Sequence, residues 1–342
     1  MNRKLCYSLL ILLLTGFSFS AIISWRDKAP GPAEIQVAAV KGFSILQSAG
    51  ATFIAKSKCS ACHHSTMTSM IAGTLRRKGV TGFDTTATLR EMAMKGTLDY
   101  VGNPNMNSQF VSAKFLAPYV LLGLAAENHP ADFTTDIAVD YILSQATQDG
   151  SFKAEYARVP LECGDIHLTA LSVRAISLYA SPAKKTQVQQ LTRLTRQWLE
   201  KQRSDMQQEV VFQLLGMHWC GSSEQAKVAI AKKLLAMQNK DGGWSQLPSM
   251  KSDAYATGQA LYALAQSGYA GSNNDSWQKG ISYLLRTQDK TGAWIVNTRS
   301  NPIQLFVNSE FPPYDDNQFI SAAASNWAVL ALAEALPDAP VK

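Results

Sequence analysis

Ala226–Met237 runs into Gln238-Asn-Lys-Asp-Gly-Gly-Trp244 and, after a short loop, into Ser252-Asp-Ala-Tyr-Ala-Thr-Gly-Gln-Ala-Leu-Tyr-Ala-Leu-Ala-Gln-Ser-Gly268. The first stretch has helical spacing and stops at glycines, which accept positive φ beyond a helix end. The last stretch carries Ala, Leu and Gly on several faces, the composition of a helix buried all round. An outer helix, a turn and an inner helix make one unit.

The unit recurs along the chain, and periodicity of this kind decides the fold. Tyr283–Thr287 leads to Gln288-Asp-Lys-Thr-Gly-Ala-Trp294, a long loop and the inner stretch from Gln318 to Leu332. Tyr141–Gln145 leads to Gln148-Asp-Gly-Ser-Phe152 and an inner stretch from Asp165. Gln109-Phe-Val-Ser-Ala opens another inner helix, Leu191–Gln202 with Gln207–Met217 forms a degenerate pair, and Ile45–Ala55 with His64–Ala72 forms the first. Inner helices therefore begin near residues 64, 109, 165, 208, 253 and 318. An open stack carries polar capping repeats, and the sequence offers none. The expected architecture is all-α, an (α/α)6 toroid of six helix pairs over residues 43–342, preceded by a linker over 26–42 with Pro30, Gly31 and Pro32.

Gln238–Trp244 and Gln288–Trp294 resemble the Gln-x-x-x-Gly-x-Trp repeat of squalene–hopene cyclases and the wider terpenoid cyclase and prenyltransferase toroids. The resemblance covers roughly Phe43–Leu336. It implies that each Gln caps a helix end, that each Trp stacks on it, and that neighbouring repeats are thereby tied together. Those roles are structural, so the resemblance implies the fold and an isoprenoid-like or other small ligand, and leaves the chemistry to the site residues.

Of the 342 residues, 46% are hydrophobic and 17% charged, which suits packed helices better than a disordered chain. The net charge of +6 is spread out, with pairs such as Lys184–Lys185 and Lys232–Lys233 on outer faces. No basic stripe interleaved with aromatics is present, which argues against a nucleic-acid partner. Arg3 and Lys4 precede an uncharged run from Leu5 to Trp25, with Ser18 and Ser20 placed before Ala21 as at a cleavage site. Residues 1–25 read as a signal peptide or, uncleaved, as an inner-membrane anchor over 5–25, long enough to span a bilayer. Both place the body in the periplasm or outside the cell, with membrane contact only through this segment. Cys6 lies before the apolar run and is no lipidation site.

With the inner helices parallel, their N-termini share one rim. Asp and Gln there are ordinary caps, which covers Asp253 and Gln318. Capping does not cover His63, His64 and His167, because a cationic His is disfavoured at a helix N-terminus. Cys59-Ser-Ala-Cys62-His63-His64 is the sharpest motif. Cys-x-x-Cys-His resembles the covalent attachment site of haem c, which implies thioethers at Cys59 and Cys62 and His63 on the iron. His167 is the better candidate for a sixth ligand than Met67 or Met70, and an open position is equally allowed. Two alternatives stand beside haem: zinc on Cys59, Cys62, His64 and a rim residue such as His167, and a Cys59–Cys62 disulfide or thiol redox pair.

Glu162 and Asp165 can act as acid and base if their surroundings separate their pKa values, with His167 beside them. Cys163, Asp165 and His167 are also the ligand types of the protein-prenyltransferase zinc site, in a different arrangement. Cys163 and Cys220 belong to opposite ends of consecutive inner helices, too far apart to pair. Pro313-Tyr-Asp315-Asp316 resembles the Asp-x-Asp-Asp motif of class II terpenoid cyclases with its first Asp replaced, and N-terminal charge matching explains the pair equally well. The expected function is an exported toroid with haem c at its cavity rim, serving electron transfer or redox chemistry with a partner protein. The alternatives are a non-redox toroid enzyme, cyclase-like or polysaccharide-lyase-like, working through rim carboxylates and histidine, and a binding scaffold.

Overall fold

Helix pairs succeed one another in the computed structural model, which describes residues 29–101, 113–154, 159–271, 274–300 and 307–340. The outer helices are α1 (Pro32–Ser57), α3 (Ala87–Val101), α5 (Phe133–Ser144), α7 (Lys185–Lys201), α9 (Glu224–Ala236) and α11 (Asp275–Thr287). The inner ones are α2 (Met67–Arg77), α4 (Ala113–Ala126), α6 (Asp165–Tyr179), α8 (Gln207–Trp219), α10 (Ala254–Gln266) and α12 (Gln318–Glu334). A π-helical turn, Cys62–Thr66, leads into α2. Composition separates the two layers. In α12 every residue from Ile320 to Ala333 is buried, whereas α7 buries only Leu191, Thr195 and Leu199.

Each inner helix packs on the next, and α12 packs back on α2, so the ring closes. The repeat motif supplies the ties. Trp244 and Trp294 are buried, and each indole N–H donates to a leucine carbonyl of the preceding outer helix, Leu234 (2.8 Å) and Leu284 (2.9 Å). Their main-chain N–H groups donate to hydroxyls of the following inner helix, Thr257 and Ser325, both at 2.9 Å. Phe152 repeats this on Thr169 (2.9 Å). The Gln238 amide donates to the Gly242 carbonyl and across to Ser276 on α11 (2.7 Å). Gln288 donates to Gly292 and across to Ala38 on α1 (2.9 Å), joining the last pair to the first. Gln288→Ala is therefore expected to lower unfolding free energy by about 1–2 kcal/mol, since two buried carbonyls lose a donor. Urea denaturation measures this, and an unchanged midpoint would show that the tie is idle.

Residues 32–42 are helix, which corrects the linker reading. Proline costs nothing at the first helical position, and Ile35, Ala38, Ala39, Gly42 and Phe43 are buried in the core. The ring starts at Pro32. By length and composition α1 can cross a membrane, yet it packs on α12. The segment 1–25 and Gln109 lie outside the described residues.

Away from the rim, Arg90 on α3 is 1% exposed and fully committed. It makes two bonds to Asp84 (2.7 and 2.9 Å) and one each to Glu127 (2.6 Å), Thr86 (2.6 Å) and Ser69 (2.9 Å). Burial opposes ionisation of Asp84, but the Arg90 hydrogen bonds and charge hold its carboxyl below the usual range.

Candidate functional site

The π turn sets the first side chains. Its wider coil runs Thr66 N–H back to the Ala61 carbonyl and brings Cys62, His63 and His64 into buried positions. A side chain at Gly50 would collide with the His64 carbonyl, so α1 can lie this close only through glycine. Asn326 of α12 donates to the His63 carbonyl (2.6 Å), supporting backbone that the π turn displaces. Such turns recur at functional sites.

Successive residues then face different neighbours. His64 stacks on Phe53 (5.0 Å, 16°) and meets Phe319 edge-on. Its Nε2 lies 3.0 Å from the Ser309 hydroxyl, which donates to Gln318 and so accepts from His64. His63 instead faces Tyr119 of α4, ring centroids 5.8 Å apart, and its Nε2 has no protein partner. Burial pushes His63 down to about 4. Burial, with His63 adding to it, pushes His64 down to about 3. Both are neutral at pH 7.

His167 lies in the same interior, stacked on Phe212 of α8 at 3.8 Å. Its Nε2 is 3.2 Å from the Tyr119 hydroxyl and its Nδ1 is 3.2 Å from the Gln208 amide nitrogen. Gln208 Oε1 accepts from the Tyr255 hydroxyl (3.0 Å), which assigns the Gln208 nitrogen as donor to Nδ1. The His167 ring is thus bonded to Tyr119 on one side and to Gln208 on the other, with the Cys163 backbone also within hydrogen-bonding reach. Burial, then the nearby His63, push His167 down to about 3, and burial raises Tyr119 and Tyr255 well above the usual phenol value. Tyr255–Gln208–His167–Tyr119 is an uncharged hydrogen-bond chain through the ring, walled by Phe115 and Phe212.

The predicted trio divides. Glu162 is buried and acts electrostatically on Tyr119, as Cys62 does. Asp165, two residues before His167, turns outward: it pairs with Lys153 (2.7 Å) and accepts from Ala154 N–H (3.0 Å). A helix places i and i+2 on different faces. Asp315 and Asp316 are exposed in the turn before α12, where Asp315 accepts from Asn317 N–H (2.8 Å). Asp253 is different: it caps α10 through Ala256 N–H (2.9 Å), takes the Gln246 amide (2.8 Å), and burial raises its pKa.

As donors for a covalent haem, Cys59 and Cys62 are unbridged thiols and His63 offers a buried nitrogen without a protein partner. These three fit the motif. The zinc set does not assemble, because His64 is held by Ser309 and Phe53 while His167 is held by Gln208 and Phe212. Among the described residues no three His, Cys, Asp or Glu side chains gather as an ion requires. Cys163 and Cys220 are free, and burial raises both. The sequence reading passed over Tyr119, Phe212 and Asn326. Gln208 carried a signal, its position at the start of the degenerate inner helix.

No family model matches the sequence, and no curated protein matches it. Solved structures do. The type II terpene cyclase MstE from Scytonema, in its apo form, superposes with TM-score 0.59 at 13% identity over 90% of this chain and 99% of that one. A protein from Actinoplanes gives 0.58 at 14% identity over 89% and 100%. An arginine-to-alanine variant of MstE in complex with geranylgeranyl dihydroxybenzoate gives 0.57 at 13% over 90% and 99%. At such identity the likeness speaks to architecture: this chain has the helical-toroid fold of the terpene cyclases.

Proposed function

We propose that the chain binds a neutral, isoprenoid-like ligand inside the ring, its polar end on the Tyr119–His167–Gln208–Tyr255 chain. One observation carries this reading: an uncharged relay among aromatic walls, with polar atoms of inner helices left without protein partners. Among those atoms are Nε2 of His63, Nε1 of Trp327 and Oε1 of Gln207. Buried polar groups are nearly always paired. Aromatic walls hold hydrocarbon, the Tyr119 hydroxyl bonds to a ligand hydroxyl, and a charged head group would go unpaired. The isoprenoid-bearing substrate bound by the MstE variant supports the ligand class. For acid chemistry the candidate donor is the half-buried Asp253, whose pKa burial raises, rather than the exposed Asp315 or Asp316.

Titration with geranylgeraniol, followed by the fluorescence of the buried Trp327, tests the reading. Tyr119→Phe is expected to weaken the alcohol about tenfold, the worth of one good hydrogen bond, and to leave the matching hydrocarbon unchanged. Equal loss for both, or no saturable binding, would reject it.

A second reading is favoured by the Cys-x-x-Cys-His motif and the unpartnered His63 Nε2: haem c on Cys59, Cys62 and His63. A haem held there would supply a one-electron couple to a redox partner outside the cytoplasm. Protein made with haem-attachment machinery is then expected to show a Soret band, and colourless protein would remove this reading.

A further inference from the structure

The inner helices share their far end as well. α2, α8, α10 and α12 stop at Arg77, Trp219, Gln266 and Glu334. Glu334 holds two of the others, the Arg77 guanidinium (3.3 Å) and the Gln266 amide (2.9 Å). This is the end of the ring away from the π turn. Aromatic contacts lead to it from the histidines: His167 stacks on Phe212, Phe212 meets Trp327 (6.1 Å), and Trp327 meets Tyr262 (5.5 Å).

Arg174 stands at this end without an acid. It lies two turns beyond His167 on the same face of α6, and it is half-buried. Its guanidinium is 5.7 Å from the centre of the Trp219 ring, and it is close enough to Tyr262 for each to act on the other's ionisation. Among the described residues no carboxylate pairs with it. The neighbouring charges are engaged elsewhere, Glu334 by Arg77 and Lys227 by Glu224 (2.8 Å). His218 is neutral at pH 7, its pKa lowered by burial and then by Lys227 and Arg174. A charge withdrawn from water ordinarily finds a counter-charge, and an indole face supplies only part of one. Leu178, one turn beyond Arg174 on the same face, is 38% exposed and adds an apolar lip.

We propose that this end of the ring binds an amphiphilic carboxylate, its charged group on Arg174 and its hydrocarbon chain along Tyr262, Trp327 and Phe212. The guanidinium is the donor best matched to a carboxylate, and the aromatic run beside it suits a chain. The histidine end offers only neutral groups, so an acid is held here and not there. The proposal shares the aromatic wall with the reading above and uses nothing of its Tyr119–His167–Gln208–Tyr255 chain.

Calorimetry on the full chain with decanoate and decan-1-ol tests it. Saturable submillimolar binding of decanoate is expected. Arg174→Gln should weaken it about tenfold, the loss of a charge-assisted hydrogen bond, and leave decan-1-ol unchanged. Leu178→Glu, at an exposed position that leaves the core untouched, sets a carboxylate one turn from Arg174, where the two pair. It should weaken decanoate as much. Tyr119→Phe should leave decanoate unchanged, which separates this site from the one proposed above. No saturable decanoate binding, or equal losses for acid and alcohol in Arg174→Gln, overturns the proposal. Inorganic phosphate binding as tightly as decanoate overturns it too, in favour of a small-anion site.

Discussion

Acidification from pH 7 to pH 5 is expected to remove about 6 kcal/mol of folding stability, about 2 kcal/mol from each of His63, His64 and His167. All three are buried and neutral, pushed down to about 4, 3 and 3, mainly by loss of water. The unfolded chain takes up a proton on each near the ordinary value of about 6.5. Below that pH the unfolded state binds more protons than the folded one, so stability is present in full above it and drains as pH falls. The loss continues until the folded histidines titrate, near 4 and then near 3. The strongly lowered Asp132, at about 2, acts only below this window. Urea midpoints at the two pH values measure the effect. His167→Phe should remove about one third of the pH dependence. If it leaves the slope untouched, His167 is not held neutral.

Arg90→Ala should destabilise the fold by about 3–5 kcal/mol, because the half-buried Asp84 and the buried Glu127 carboxylate lose the buried cation they share. They keep only the more exposed Arg76, at 3.7 and 3.0 Å. Lys56→Ala, by contrast, removes an exposed pair with Glu310 (2.8 Å) and should change stability by less than about 1 kcal/mol. Thermal and urea denaturation of both variants make the comparison. A loss below about 1 kcal/mol for Arg90→Ala would mean that the carboxylates find water or take up protons instead.

How much of this was legible in advance varies by residue. The two Gln-x-x-x-Gly-x-Trp loops announced the ring, and their ties run as a repeat requires, down to Gln288 reaching Ala38. Pro32 looked like a linker residue, yet it opens α1, because proline followed by an apolar stripe can begin a helix as easily as break one. Arg90 gave no sign in the chain, since its carboxylates come from a loop and from the turn just past α4. The rim histidines were recognised, but they lie inside the core. Asp165 and His167 were grouped as one site, although one faces Lys153 and the other Phe212.

The sequence by itself determined the helix pairs, their order and the closure of the ring, because those depend on local periodicity and on loops that bond to whatever helix comes next. Tertiary structure alone decided which side chains meet. His167 finds Tyr119 48 positions away and Gln208 41 positions away, and the His63 carbonyl finds Asn326 across 263. The rotation of each inner helix about its axis chooses those partners. That rotation is set by packing against two neighbours at once, which no single stretch of chain encodes.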